Sequence, residues 1–170
     1  MSKTKRLYVL RHGNAQAHGF DKDAFRELTP LGVDEVIATA GAFRKKGESL
    51  DAVFVSPYVR AQQTAQHFLT ELNQLNDGNG ASLEGQTCSM ITPSGKALDV
   101  ALWLNEQPYE SILLVTHQPF AYQLVDLLAD EPLPHDFSMG TASLAALEGE
   151  LFATACCQFR WFISQEDVCR

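Results

Sequence analysis

Three short stretches hold residue types that could bind and transfer an anionic group: Arg11-His12-Gly13, Ser56-Pro57-Tyr58-Val59-Arg60 and Thr116-His117-Gln118-Pro119. A guanidinium offers a planar fork of donors for phosphate or carboxylate oxygens, and an imidazole can attack or carry a proton near neutral pH. A phosphoryl group spreads its charge over three oxygens, so preorganised cations hold it while it transfers in line. His12 is the candidate nucleophile: between Arg11 and Gly13 the backbone can hold one ring nitrogen and leave the other free, provided the ring is neutral. His117 would bind an equatorial oxygen, preferably as the imidazolium, with Arg11 and Arg60 binding the rest. This chemistry requires no metal and no cofactor. Gly13 lets the chain turn sharply or approach a bound group closely. Taken alone, the first triplet fits an ordinary strand end with a solvated Arg11 and His12 equally well.

Strands must bring these stretches together. Leu7 to Leu10, Ala52 to Ser56 and Ser111 to His117 are apolar runs of strand length that lead into the candidate residues. Helical patterns lie between them. Thr29 can cap and Pro30 suits a first helical position, followed by Val33, Val36, Ile37, Ala40 and Phe43 at helical spacing until Gly47. Pro57 opens a second helix striped by Ala61, Ala65, Phe68, Leu69 and Leu72. A third runs through Ala97, Leu98, Ala101, Leu102 and Asn105, and a fourth begins near Pro119 with Ala121, Leu124, Val125 and Leu128. A weaker strand is expected around Thr87 to Ile91. Ala142 to Leu147 and Leu151 to Phe162, parted by Glu-Gly-Glu, predict a closing hairpin. Asn14 to Leu28 and Asp130 to Ser138 are candidate rims of the site, and Asn76 to Leu83 is a surface loop.

Strands alternating with amphipathic helices imply an α/β fold of three layers, α/β/α. Its central sheet is mostly parallel, with at least one antiparallel strand. Loops after parallel strands share one sheet edge, so Arg11, His12, Arg60 and His117 converge there. Arg60 would lie in the first turn of the second helix and His117 just before the fourth, so two helix N-termini would add amide donors and positive dipole.

A chain of 170 residues, 45% hydrophobic and 20% charged, reads as one globular domain over residues 1–170. The basic N-terminus meets only four apolar residues before Arg11, so neither a signal segment nor a membrane span is expected, and a cytoplasmic protein is. A formal net charge of −8 without a basic block argues against nucleic acid or acidic membrane as a partner. Cys88, Cys156, Cys157 and Cys169 lack metal or redox spacing and read as reduced packing residues, with Cys156 and Cys157 on opposite faces of a strand. His18 and His135 in polar loops and His67 in the second helix read as solvated or structural, and Ser56 and Thr64 as serving turn and helix geometry.

Arg11-His12-Gly13 after a first strand, Ser56-Pro57-x-x-Arg60-Ala61-x-x-Thr64-Ala65 after the second, and strand-terminal His117 together resemble the histidine phosphatase superfamily in order and spacing. That superfamily includes the phosphoglycerate mutases. The short chain, Arg26-Glu27-Leu28-Thr29-Pro30-Leu31-Gly32 and His117-Gln118-Pro119 are similar to its SixA-type phosphohistidine phosphatases, the likeness running from Leu7 to Leu128. The resemblance implies a phosphoglycerate mutase-like fold and a phosphohistidine intermediate on His12. Arg11, Arg60 and His117 would line the phosphate pocket. Arg26 is a further candidate anion contact, or else the salt-bridge partner of a neighbouring acid.

One departure bears on the substrate. Many members carry a glutamate or aspartate after the third strand as general acid, whereas Met90-Ile91-Thr92-Pro93-Ser94-Gly95 stands here and Asp99 lies a turn into the next helix. An alkoxide leaving group, comparable with hydroxide at roughly 15.7, needs a proton, while imidazole is protonated only near about 6.5. The missing acid favours a phosphoramidate, and the lack of a long insertion over the pocket favours one presented by another protein. The expected function is dephosphorylation, by a monomer, of a phosphorylated signalling protein such as a histidine-phosphotransfer domain, bound transiently. A phosphatase of small phosphate esters is the alternative. A mutase would need a lid that shields the phosphoenzyme from water, and a phosphate-dependent binding module would keep the cradle without turnover.

Overall fold

Leu7, Tyr8, Val9 and Leu10 are all fully buried, and the alternation of their side chains sets the layers of the molecule. The computed structural model describes residues 3–17, 22–73 and 83–168. The Asn76 to Leu83 loop, except Leu83, lies outside the described residues, as do His18 and Cys169.

Six strands form one sheet: β1 (Lys5–Arg11), β2 (Ala52–Val55), β3 (Gly85–Thr87), β4 (Ser111–Thr116), β5 (Leu144–Gly149) and β6 (Gln158–Ile163). Their spatial order is β3-β2-β4-β1-β5-β6. The β1·β4, β2·β4 and β2·β3 pairs are parallel, and β1·β5 and β5·β6 are antiparallel. The helices are α1 (Pro30–Lys45), α2 (Val59–Asn73), α3 (Ala97–Asn105), α4 (Phe120–Leu128) and α5 (Gln165–Val168). This is the three-layer α/β architecture expected from the alternation of strands and helices.

Each face has its own core. Leu7 and Val9 of β1 join Ile112 and Leu114 of β4 under Val100, Leu104, Leu124 and Leu128 of α3 and α4. Tyr8 and Leu10 join Leu113 and Val115 under Val36, Phe43, Ala61 and Phe68 of α1 and α2. At about 25 cal/mol per Å², each such large side chain contributes roughly 1.5–3 kcal/mol, enough to hold strand ends in fixed register.

The start of α1 is locked to the end of β1. Thr29 accepts from the Gly32 amide at 3.0 Å, and its hydroxyl donates to Asn14 Oδ1 at 2.7 Å. The chains touch so closely that a Cβ on Gly13 would lie 2.6 Å from the Gly32 carbonyl oxygen, and one on Gly32 would lie 2.0 Å from that of Asn14. Gly13 is therefore needed for close approach to α1.

Some details differ from the periodicity. β3 is a three-residue exposed edge strand, and Ser89–Ile91 is a 3-10 turn instead of its continuation. β6 starts only at Gln158; exposed Cys156 follows the preceding turn, and buried Cys157 bridges to Ala129. Burial pushes the Cys157 thiol up to about 11, which keeps it a neutral packing group. Ile37, Leu98 and Leu102 are exposed, and α3 packs through Val100, Ala101 and Leu104.

Candidate active site

β4 lies between β2 and β1, so the three strand ends are neighbours, with Arg11 level with Thr116 and Val55 level with Val115. Backbone bonds fix the first end: the Arg11 amide donates to Ser143, the His12 amide donates to Thr116, and the His12 carbonyl accepts from Ala142. Thr64 joins it to α2, accepting from the Gly13 amide at 3.1 Å and donating to the Arg60 carbonyl at 2.7 Å.

The protonation of His12 follows from its partners. Nδ1 lies 2.7 Å from the Gly13 carbonyl oxygen. A carbonyl can only accept, so Nδ1 carries the proton and Nε2 keeps its lone pair. Arg60 Nε donates to that Nε2 at 3.3 Å. Burial lowers His12 to about 4; the Gly13 bond opposes this, and the Arg60 and Arg11 charges add to it. The ring is thus neutral at pH 7, and its Nε2 lone pair accepts from Arg60 in the ligand-free protein.

Arg60, the second residue of α2, is 3% exposed. Its Nη1 donates to the Asp23 carbonyl at 2.7 Å and its Nη2 to Asp23 Oδ2 at 3.1 Å. Arg26 closes the same loop, with Nε donating to Asp23 Oδ1 at 2.8 Å and Nη1 to the Gln16 carbonyl at 2.7 Å. Partial burial alone would raise the Asp23 carboxyl, but hydrogen bonds from Arg26 and Arg60 hold it below the usual carboxylate range. Of the two roles considered for Arg26, the ion pair with a neighbouring acid is thus the contact present.

His117 is 1% exposed, and its ring centroid lies 5.1 Å from that of His12. Burial lowers it to about 3, helped by His12 and Arg60, so the ligand-free ring is neutral at pH 7. Its Nε2 lies 2.7 Å from Ser56 Oγ. Arg11 donates from Nη1 to the Met139 carbonyl at 2.9 Å. Among the described residues, Arg11 Nε and His117 Nδ1 are the buried side-chain nitrogens or oxygens left without a partner. An orphaned buried donor costs about 1–3 kcal/mol, and an oxyanion beside His12 would satisfy such groups.

The expected amide donors are fewer than helix position suggests. The Ala121 amide donates to the His117 carbonyl at 2.7 Å and the Tyr122 amide to Gln118 Oε1 at 2.8 Å, so the first turn of α4 caps itself. Asp99 is exposed in the first turn of α3, and Met90 to Gly95 bring no carboxylate. Among the described residues no group of three or more His, Cys, Asp or Glu side chains is arranged to hold a metal ion.

Residues 7–79 match the family model of the histidine phosphatase superfamily, branch 1. The chain is 29% identical over 154 residues to the phosphohistidine phosphatase SixA homolog of Haemophilus influenzae, covering 84% of this chain and 88% of that one. To the phosphohistidine phosphatase SixA of Escherichia coli it is 27% identical over 145 residues, covering 84% and 85%. The solved structure of the protein histidine phosphatase SixA complexed with tungstate superposes with a TM-score of 0.77 at 26% identity, over 94% of this chain and 96% of that one.

The chain is similar to the histidine phosphatase superfamily over residues 7–79 and to the two phosphohistidine phosphatases over 84% of its length. Its fold is phosphoglycerate mutase-like, and these similarities support a phosphate hydrolase. Among its described residues no helix is long and apolar enough to cross a membrane. Two features of the candidate site escaped the sequence reading. Asp23 clamps two arginines, for which the Asp23-x-x-Arg26 spacing was the available signal. Ser56 touches His117 across 61 positions, for which no local signal existed.

Proposed function

We propose that the protein hydrolyses the phosphoramidate bond of a phosphohistidine carried by a signalling protein, such as a histidine-phosphotransfer domain, through a phosphorylated His12. One observation carries this reading: the Gly13 carbonyl holds the His12 proton on Nδ1, leaving the lone pair of Nε2 beside the Arg60 guanidinium. Nε2 attacks phosphorus, the bond from phosphorus to the substrate imidazole breaks, and that imidazole leaves with a proton on its own ring. Water then attacks phospho-His12, the new P–N bond breaks, and orthophosphate leaves while Nε2 regains its lone pair. Arg11, Arg60 and His117 hold the phosphoryl oxygens, and Arg26 adds positive charge through its bridge from Asp23 to Arg60. The partner is transient, and the reading takes residues 1–170 as one domain that acts as a monomer in the cytoplasm.

The leaving group supports this substrate class. Asp23 is linked to the reacting groups through Arg60, yet it is ionised and held by two guanidiniums, so it has no proton to give. An imidazole leaving group tolerates that far better than an alkoxide. The two curated relatives reported above are named as phosphohistidine phosphatases, and a similar solved structure holds tungstate, a tetrahedral oxyanion.

The alternative, a small phosphate ester as substrate, would need a carboxyl group within reach to protonate the leaving oxygen. Phosphate release should be measured from a phosphorylated histidine-phosphotransfer domain and from a panel of small esters, with chelator present and His12→Ala as control. Fast release from the protein, slow release from the esters and none from His12→Ala are expected. The reverse ranking overturns the substrate, and full activity in His12→Ala overturns the mechanism.

A further inference from the structure

Ser56 ends the run that begins as β2, is fully buried, and was read from sequence as a turn residue. Its hydroxyl oxygen lies 3.3 Å from the Tyr58 amide, which can only donate to it, and 2.7 Å from His117 Nε2. The hydroxyl proton therefore needs an acceptor other than Tyr58. Among the described residues the acceptor within reach is His117 Nε2.

We infer that Ser56 is a positioning residue that fixes the tautomer of His117, donating its hydroxyl proton to Nε2 so that Nδ1 carries the ring proton and presents an N–H to the phosphoryl group. The opposite tautomer fails twice. It would strand the Ser56 hydroxyl proton in a fully buried place, and it would leave Nδ1 with a bare lone pair beside an incoming anion. The tautomer matters because the ring is neutral: with its charge suppressed by burial, His117 can donate through one nitrogen only. The same bond resists a second proton, since protonated Nε2 would become a donor to Ser56 and leave the buried hydroxyl proton without its acceptor. His117 is thus prepared as a neutral donor, while Arg11 and Arg60 supply the positive charge.

The functional half of this inference rests on the reading that His117 binds the phosphoryl group; the tautomer itself does not. It is read directly from long-range proton–nitrogen correlation spectra of the full chain labelled with 15N-histidine, with His117→Gln identifying the resonances. A protonated Nδ1 and bare Nε2 in the unmodified protein at pH 7 are expected, unchanged by saturating orthophosphate. Ser56→Ala should lose that preference and reduce kcat/KM by roughly 10–100-fold, the range seen when a partner orienting a histidine is removed. A proton on Nε2, or on both nitrogens, in the unmodified protein overturns the inference whatever the variant does. So does a Ser56→Ala protein that keeps the tautomer. Failure to release phosphate from a phosphohistidine protein would instead overturn the proposed substrate and leave the spectra standing.

Discussion

Lowering the pH from 7 to 5 should cost the folded protein about 2 kcal/mol through His117 alone. The buried ring is held down to about 3, so the native state stays unprotonated across this window. In the unfolded chain the same imidazole titrates near about 6.5 and takes up almost a full proton by pH 5. The unfolded state therefore binds more protons, and stability rises with pH, at nearly 1.4 kcal/mol per unit once the unfolded imidazole is protonated. Stability is fully present above the unfolded value and is lost as pH falls toward the folded one. The result depends little on the folded value, provided it stays well below 5. His12, held at about 4, adds a loss of about the same size. The assay is urea unfolding of the unmodified protein and His117→Gln at both pH values. The variant should lose about 2 kcal/mol less than the unmodified protein, because the carboxylates titrate alike in both. Equal losses in the two proteins would refute the claim that His117 is buried in its neutral form.

Gly13→Ala would place a methyl 2.6 Å from the Gly32 carbonyl oxygen and 3.0 Å from Val36, so the strand end must separate from α1. We expect a loss of about 1–3 kcal/mol, read as a lower urea midpoint, together with reduced turnover as His12 shifts. An unchanged midpoint would show that the contact is not tight. Asn105 at the end of α3 exchanges two hydrogen bonds with the backbone of buried Phe152, at 2.8 and 2.9 Å. Asn105→Ala should cost about 2 kcal/mol or more and leave kcat unchanged, because this clasp lies beyond the sheet edge opposite the candidate site.

The central strands were legible because both of their faces are covered. Val53 to Val55 and Ile112 to Val115 are apolar at every position, so no periodicity was needed to find them. β3 was not, since an exposed three-residue edge strand is held by backbone bonds to β2 and carries no hydrophobic signal. Leu98 and Leu102 misled in the other direction: they are apolar and helically spaced, yet α3 turns Val100, Ala101 and Leu104 to the core. At the candidate site, the groups at three strand ends could be named from residue type and order. The Asp23 clamp left only the Asp23-x-x-Arg26 spacing as a signal, and the Ser56 contact left none.

What the sequence alone determined was which side chains stand at the ends of buried parallel strands, because burial and chain direction are written in local composition. Arg11, His12, Arg60 and His117 follow from that logic. Only the tertiary structure decided their protonation and pairing. Hydrogen-bond direction depends on which partner lies within about 3 Å, and those partners are remote in the chain. His12 takes its tautomer from the adjacent Gly13 carbonyl, but Arg60 is turned by Asp23 across 37 positions and His117 by Ser56 across 61. Burial, set by the whole fold, keeps both rings neutral.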